Sequence, residues 1–158
     1  MSWFGRARRH RVEILGAPAV GKTTLVYRLA KYPVPDAMVP TAAPVLEKAV
    51  EVAGGRKFVF SEQKEETVGA SAIIYVLAYP DIDTTALKET VRTGLQPDAA
   101  LLVLLNKRDL AAQDRVDAVA EELVQIVGTS RSWAVLDCSS QNDDGIQEVA
   151  QWLETTLK

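Results

Sequence analysis

A short stretch near the amino terminus combines glycines, a lysine and threonines at a spacing that suits phosphate chemistry. Residues 16–24 read Gly-Ala-Pro-Ala-Val-Gly-Lys-Thr-Thr, which fits a glycine, four residues and then Gly-Lys-Thr. Glycines let a backbone curl closely around a phosphate, and the N–H groups of such a loop point into its concavity. In this pattern the lysine reaches the β- and γ-phosphates and the first threonine binds Mg²⁺. The residues predicted to contact phosphate are Gly16, Ala19, Val20, Gly21, Lys22, Thr23 and Thr24.

The residues on either side of this loop supply the strand and the helix that the pattern needs. Residues 12–15 suit a short buried strand, and residues 25–29 suit the first turns of a helix. A helix that starts at the loop adds the positive end of its dipole to the phosphate site. This context disfavours the alternative, a chance match in a glycine-containing turn. Pro18 has no N–H, so the loop offers one donor fewer than usual.

The composition indicates one globular domain with no sign of an oxidising compartment, and it argues against a histidine-based site. The chain has 158 residues, of which 47% are hydrophobic and 25% charged, and its net charge is −3. The single cysteine excludes an intrachain disulfide, and the single histidine argues against histidine catalysis. The sequence contains no apolar run of membrane-spanning length and no signal peptide. We therefore expect a cytoplasmic protein that does not bind nucleic acid.

Apolar patterns along the chain alternate between strands and helices. Long apolar runs predict central strands that are covered on both faces, and Gly54-Gly55 predicts a hairpin turn between two half-exposed strands. One helix is predicted directly after the phosphate loop, and three more begin near residues 84, 114 and 142. The periodic apolar positions of the helix that begins near residue 114, including Val124, are assigned to the core. This order predicts an α/β fold with a mainly parallel six-stranded sheet and helices on both faces. The predicted strands are 12–15, 47–53, 57–60, 72–79, 99–105 and 133–136.

A second polar motif follows the apolar strand at 99–105. The sequence there is Asn106-Lys107-Arg108-Asp109, and Asn-Lys-x-Asp in a chain with a phosphate loop indicates recognition of guanine. The carboxylate of Asp109 can accept hydrogen bonds from the ring N–H and the exocyclic amine of guanine, a pair of donors that adenine lacks. Lys107 is expected to lie along the base, and Asn106 to tie this turn to the phosphate loop. The alternative, a polar turn at a strand end, loses weight because the two motifs are independent.

Together these motifs resemble those of the Ras-like small GTPases, and among them the ADP-ribosylation factor (Arf) and Arf-like branch. The resemblance covers about residues 12–157 and includes Gly-Lys-Thr-Thr, Pro40-Thr41 and Cys138-Ser139-Ser140. It implies the small G domain of the P-loop NTPases, binding of GTP or GDP with Mg²⁺, and protein effectors in a regulatory or trafficking role. It also implies that Thr41 joins Thr23 on Mg²⁺ in the GTP state. Cys138, Ser139 and Ser140 match the loop at the base, in which the Ser139 N–H would meet guanine O6.

The stretch after the hairpin departs from the family. The family has Asp-x-x-Gly, usually followed by Gln, whereas residues 58–66 read Phe-Val-Phe-Ser-Glu-Gln-Lys-Glu-Glu. In one register Gln63 matches the glutamine that positions water; in the other Glu62 replaces the aspartate and supports Mg²⁺ through a water. Both registers lack the glycine that senses the γ-phosphate, and the short span to the next strand predicts a reduced or absent switch II helix. We expect weak or absent GTP hydrolysis; the alternative is a non-switching pseudo-GTPase that acts as a protein-interaction scaffold.

Residues 1–11 are expected to form a flexible arm ahead of a single G domain at 12–158. Trp3-Phe4 and four arginines suit contact with an anionic membrane. The alternative is a solvated tail whose aromatic side chains pack against the domain. The resemblance thus allows a cytoplasmic protein that is peripheral at a membrane or associated with a cilium. A P-loop kinase or ATPase is a third hypothesis, which the Asn-Lys-x-Asp motif disfavours.

Overall fold

A computed structural model describes residues 9–30, 47–52, 56–62 and 69–157. A 3₁₀ turn occupies Arg108–Leu110. Within the described ranges the strands are Arg9–Gly16 (β1), Glu47–Val52 (β2), Arg56–Glu62 (β3), Ala72–Ala78 (β4), Ala100–Asn106 (β5) and Trp133–Asp137 (β6). The α-helices of the same ranges are Lys22–Ala30 (α1), Thr85–Thr93 (α2), Val116–Val127 (α3) and Ile146–Thr156 (α4).

The strands form a six-stranded sheet in the order β2-β3-β1-β4-β5-β6. Strands β2 and β3 are antiparallel, and the other neighbouring pairs are parallel. This arrangement confirms the predicted mainly parallel sheet with one antiparallel pair, while Gly54-Gly55 lies outside the described residues. Gly16 pairs with Val76 of β4, and Asn106 pairs with Ala78, two residues further along the same strand. The ends of β1 and β5 therefore meet at the same edge of the sheet, where ligands bind in open α/β folds.

Both faces of the sheet are covered by helices, as predicted. Alternate residues of β4 and β5 point to opposite sides, because side chains alternate along a strand. Ile74 and Leu102 share one buried cluster with residues of α1 and α4, whereas Ile73 and Leu101 share another with residues of α2 and α3. Strand β5 is buried along its whole length, which explains its unbroken apolar sequence.

The first strand begins earlier than the sequence predicts. It starts at Arg9 rather than residue 12, because its backbone pairs with β3 from Arg9 opposite Lys57 onward. His10, which the sequence suggests to be part of a flexible tail, is buried in this strand and packs its ring 5.6 Å from that of Phe58. Residues 1–8 lie outside the described part of the chain.

Helix α3 corrects the predicted core. Leu123 is fully buried, but Val124 is 52% exposed. Successive helical residues are rotated by about 100°, so a helix that points Leu123 at the sheet turns its neighbour towards solvent. The helix also begins at Val116 rather than residue 114, and α4 begins at Ile146 rather than near residue 142.

The connection between β3 and β4 is short. Strand β3 ends at Glu62 and β4 begins at Ala72, so residues 63–71 make the whole connection. Thr41 and Gln63 lie outside the described residues, and so does the side chain of Glu62. The two alignments of this region therefore both stay predictions.

Candidate functional site

Strand β1 ends at Gly16, the first residue of the phosphate loop, and α1 begins at Lys22. The loop therefore joins the strand directly to the helix. Gly16 has a φ of 146°, and a Cβ there would lie 2.5 Å from the carbonyl oxygen of Val76. Gly21 has a φ of 94°, and a Cβ there would collide with the side-chain amide of Asn106. Both positions require glycine because the loop backbone passes so close to the ends of β4 and β5.

Lys22 folds back over the phosphate loop. Its Nζ donates hydrogen bonds to the carbonyl oxygens of Gly16 at 2.6 Å and Ala17 at 3.2 Å. The side chain is buried, so water screens its charge less than it would at the surface. Thr23 and Thr24 follow in the first turn of α1, where Thr23 is half-buried and Thr24 is buried. The loop therefore presents a lysine and a helix N-terminus side by side, which suits an anionic group.

Asn106 joins the phosphate loop to the loop after β6. Its Nδ2 donates to the Val20 carbonyl at 2.8 Å and to Ser140 Oγ at 2.9 Å. Its Oδ1 accepts from the Ser140 backbone N–H at 2.9 Å and from Cys138 Sγ at 3.4 Å. Because Asn106 is fully buried, each of these bonds replaces water that the amide has lost. One side chain thus connects two loops and forms the tie that the sequence predicts.

Lys107 adds a second connection to the phosphate loop. Its backbone adopts the left-handed conformation, with a φ of 60°. Its Nζ donates to the carbonyl oxygen of Ala19 at 2.7 Å. The stem of Lys107 therefore crosses the crevice between the two predicted binding segments.

Asp109 is held by a serine from the loop after β6. The hydroxyl of Ser139 donates to Asp109 Oδ1 at 2.9 Å. The backbone N–H of Ser139, which the resemblance assigns to guanine O6, instead donates to the carbonyl oxygen of Asp144 at 2.8 Å. The hydroxyl of Ser139 thus contacts Asp109, the predicted guanine-recognition residue. The amide of Ser139, which is predicted to meet guanine O6, is bonded within the protein.

Two arginines that the sequence analysis missed hold this same loop. Arg28 of α1 donates to the carbonyl oxygens of Ser140 and Gln141, each at 2.8 Å. Arg108 contacts Asp137 and Asp144, and these contacts, with the hydrogen bond to Asp144 first, raise the pKa of its guanidinium. Arg108 occupies the open position of Asn-Lys-x-Asp, which is a weak signal in the sequence. Arg28 gives no signal, since its partners are distant in the chain.

Cys138 lies at the start of the same loop and is fully buried. Burial raises the pKa of its thiol to about 12. The thiol is therefore neutral at physiological pH and lacks the thiolate character that reactive cysteines need. Its role is packing and a weak hydrogen bond to Asn106.

Neither a protein-only metal site nor a membrane span occurs in the part of the chain that the structure describes. No group of three or more His, Cys, Asp or Glu side chains among these residues is arranged to hold a metal ion. No helix of the described ranges is long and apolar enough to cross a membrane.

Comparison with known proteins gives a consistent assignment. Residues 1–157 match the ADP-ribosylation factor family. ADP-ribosylation factor-like protein 1 of Saccharomyces cerevisiae is 30% identical, over 98% of this chain and 91% of its own length. ADP-ribosylation factor 3 of Arabidopsis thaliana is also 30% identical, over 99% of this chain and 92% of its own length.

A solved structure shares the fold at lower sequence identity. A crystal structure of an Aquifex aeolicus Era variant bound to GDP·AlF₄⁻ has a TM-score of 0.74 to this chain and is 14% identical. The match covers 96% of this chain and 57% of the Era chain. With a family match along almost its whole length and two full-length relatives at 30% identity, this chain belongs to the ADP-ribosylation factor family of small GTPases.

Proposed function

We propose that the protein binds GDP and GTP in the crevice between the phosphate loop and the Asn106–Asp109 turn. The observation that carries the proposal is the buried side chain of Asn106, which bonds to Val20 of one loop and Ser140 of another. A nucleotide spans the distance between a phosphate site and a base site, so the two must be held in a fixed relation. Membership of the family and the GDP·AlF₄⁻ in the Era structure support the same ligand class.

The residues of the crevice divide the ligand between them. Lys22 and the N–H groups of the loop bind the β- and γ-phosphates, while Asp109 accepts from guanine and Lys107 lies along the base. The hydroxyl of Thr23 would hold a Mg²⁺ ion, and that of Thr41 would join it in the GTP state. When bound, the ion neutralises charge on the phosphates.

Hydrolysis of GTP is proposed to be slow or absent. The stretch 58–66 has no aspartate and no glycine, and Glu65 and Glu66 would bring negative charge towards the γ-phosphate. Catalysis in this class rests on positioning and charge stabilisation, so the loss of a positioned water costs most of the rate. Gln63 and Glu62 are the residues with a remaining claim to that role.

A second candidate function is a non-switching pseudo-GTPase that acts as a protein-interaction scaffold. It is favoured by the connection between β3 and β4, which has only residues 63–71 for the segment that responds to nucleotide in this family. In either case effector proteins, rather than nucleic acid, are the proposed partners. The sequence predicts an arm at residues 1–11 for peripheral membrane contact of an otherwise cytoplasmic G domain; since Arg9–Gly16 form β1, the proposed arm is residues 1–8.

An affinity panel tests the proposal. Titration calorimetry with GDP, GTP and ATP, each with and without Mg²⁺, gives the selectivity for both base and phosphate. We expect GDP and GTP to bind within about tenfold of each other, and ATP to bind at least about 1,000-fold more weakly. Single-turnover assays should give slow release of phosphate. Tight ATP binding would contradict the guanine site, and a large Mg²⁺-dependent preference for GTP with fast hydrolysis would contradict the weak switch.

A further inference from the structure

We propose that Arg108 is a positioning residue that sets the preference for guanine by holding Ser139 against Asp109. The inference rests on the guanine site proposed above and extends it to a side chain that touches no part of the base. Arg108 stands in the open position of Asn-Lys-x-Asp, between two residues of the site. Its neighbours Lys107 and Asp109 are assigned to the base, whereas its own guanidinium contacts Asp137 and Asp144.

The guanidinium of Arg108 links both ends of the loop at 138–145. Its Nη1 lies 2.7 Å from Asp137 Oδ1, and its Nη2 lies 2.6 Å from Asp144 Oδ2. Asp137 is the last residue of β6, and Asp144 comes just before α4. The backbone N–H of Arg108 adds a bond to the Cys138 carbonyl at 2.9 Å. Charge-assisted hydrogen bonds of this length fix direction as well as distance.

These contacts continue to the guanine-recognition carboxylate. Asp144 and Ser139 exchange two backbone hydrogen bonds, 2.8 Å from the Ser139 N–H and 2.9 Å from the Asp144 N–H. The Ser139 hydroxyl then donates to Asp109 Oδ1 at 2.9 Å. Since Asp109 follows Arg108 in the chain, the contacts form a closed ring from Arg108 through Asp144 and Ser139 to Asp109.

The ring matters because Asp109 itself is exposed. An exposed carboxylate rotates freely unless a partner fixes it. To accept hydrogen bonds from both donors of guanine, the carboxylate has to hold one orientation. The hydroxyl of Ser139 is that partner. Arg108 contacts Asp144, whose backbone is paired with that of Ser139, and so holds Ser139 in place. Loss of this orientation should weaken the binding of guanine selectively, because the Asp109 carboxylate is the group that recognises the exocyclic amine.

The ion pair of Arg108 with Asp144, which is the contact that continues to Ser139, contributes little to stability by itself. The side chain of Arg108 is 36% exposed and that of Asp144 is 60% exposed. Ion pairs with this exposure add little to the free energy of folding, because solvent screens them. A positioning role therefore predicts that loss of Arg108 changes ligand selectivity more than it changes Tm.

Arg131 supplies a matched control at the opposite end of the sheet. Its Nη1 donates to the carbonyl oxygens of Gln96 at 2.9 Å and Ala99 at 2.7 Å. It thus ties the segment before β6 to the segment before β5, as Arg108 ties segments after these strands. Arg131→Gln removes an arginine that joins two segments without touching the ring at Asp109.

The test compares GDP with inosine diphosphate, which lacks the exocyclic amine. Calorimetry on the full chain gives both affinities for the wild type and for Arg108→Gln, Arg108→Lys, Asp144→Asn and Arg131→Gln. We expect Arg108→Gln to weaken GDP about tenfold and inosine diphosphate about twofold, which reduces the preference for GDP about fivefold. Asp144→Asn should reduce the preference less, and Arg108→Lys should restore part of it. Arg131→Gln should lower Tm and leave the preference unchanged.

Each outcome decides between the proposals. An unchanged preference in Arg108→Gln, with GDP still bound, overturns the positioning role while leaving the guanine site intact. An equal loss in Arg131→Gln also overturns it, since the effect would then be general loosening. Wild-type protein that binds neither nucleotide contradicts the proposed function instead. If Arg108→Gln does not fold, Asp144→Asn decides, because its exposed side chain removes only one contact of the ring.

Discussion

The carboxyl ends of β5 and β3 lie at the same edge of one sheet, yet they are equipped very differently. At the end of β5 and in the turn that follows, the side chains of Asn106, Lys107 and Asp109 each bond to a residue of another loop. After β3, the sequence lacks the aspartate and the glycine of its family, and only residues 63–71 separate β3 from β4. The difference supports the proposal that nucleotide recognition and nucleotide switching are separable requirements of one fold.

The separation has a chemical basis. The base of GDP is identical to the base of GTP, so guanine recognition does not depend on the γ-phosphate. Switching requires contacts that exist with one nucleotide and not the other. A chain can therefore keep every contact on the side of β5 while the side of β3 diverges. Substitutions should therefore have the largest effect on nucleotide binding on the β5 side, a smaller one at its connection to the phosphate loop, and the smallest on the β3 side.

The largest effect is expected from Asp109→Asn. An amide cannot accept both hydrogen bonds of guanine, so GDP should bind at least about 1,000-fold more weakly, and xanthosine diphosphate should become the preferred ligand. Calorimetry with both nucleotides measures the change. Asp114→Asn is the control: Asp114 Oδ1 accepts from the Val116 N–H at 2.8 Å, and an amide oxygen can do the same. Retention of GDP by Asp109→Asn would move the base site elsewhere.

An intermediate effect is expected from Gly21→Ala. The new methyl group would meet the amide of Asn106 and lie 3.3 Å from Ser140 Oγ, at a φ that alanine rarely adopts. Strain and the lost tie to Val20 should weaken GDP about 10- to 100-fold and lower Tm. Gly94→Ala is the matched control, since a Cβ there meets nothing within 4 Å. Equal GDP affinity in the two variants would mean that the connection between base and phosphate sites carries no binding energy.

The smallest effect is expected from Gln63→Ala on the β3 side. If no water is positioned there, the single-turnover rate of GTP hydrolysis should change less than about threefold. Glu62→Gln in the same assay examines the other alignment, in which Glu62 supports Mg²⁺. A tenfold or greater loss in either variant would restore a catalytic role to that residue and weaken the contrast with β5.

The sequence is informative where structure is local. The apolar runs of β4 and β5 predict those strands to within one residue, since both are covered on two faces. The start of β1 escapes prediction because Arg9–Arg11 look like part of a basic arm. Only pairing with the distant strand β3 makes these residues extended.

The candidate site shows the same limit at the level of atoms. Motif spacing places Asn106 and Asp109 at the base, but it does not tell which group of Ser139 a loop turns inward. The hydroxyl and the amide of one serine have different partners here, Asp109 and Asp144. Likewise, the contacts of Arg28 and Arg108 with the loop after β6 depend on chain segments that meet only in the folded protein.

The buried thiol of Cys138 gives the protein a kinetic probe of its own. It is the one cysteine of the chain, it lies in the loop after β6 that contacts Asn106 and Asp109, and burial raises its pKa to about 12. A thiol in this state reacts with alkylating reagents only when the loop opens and the sulfur loses its proton in water. The rate of alkylation is therefore a measure of how often the loop opens, and it requires no label, cofactor or substitution.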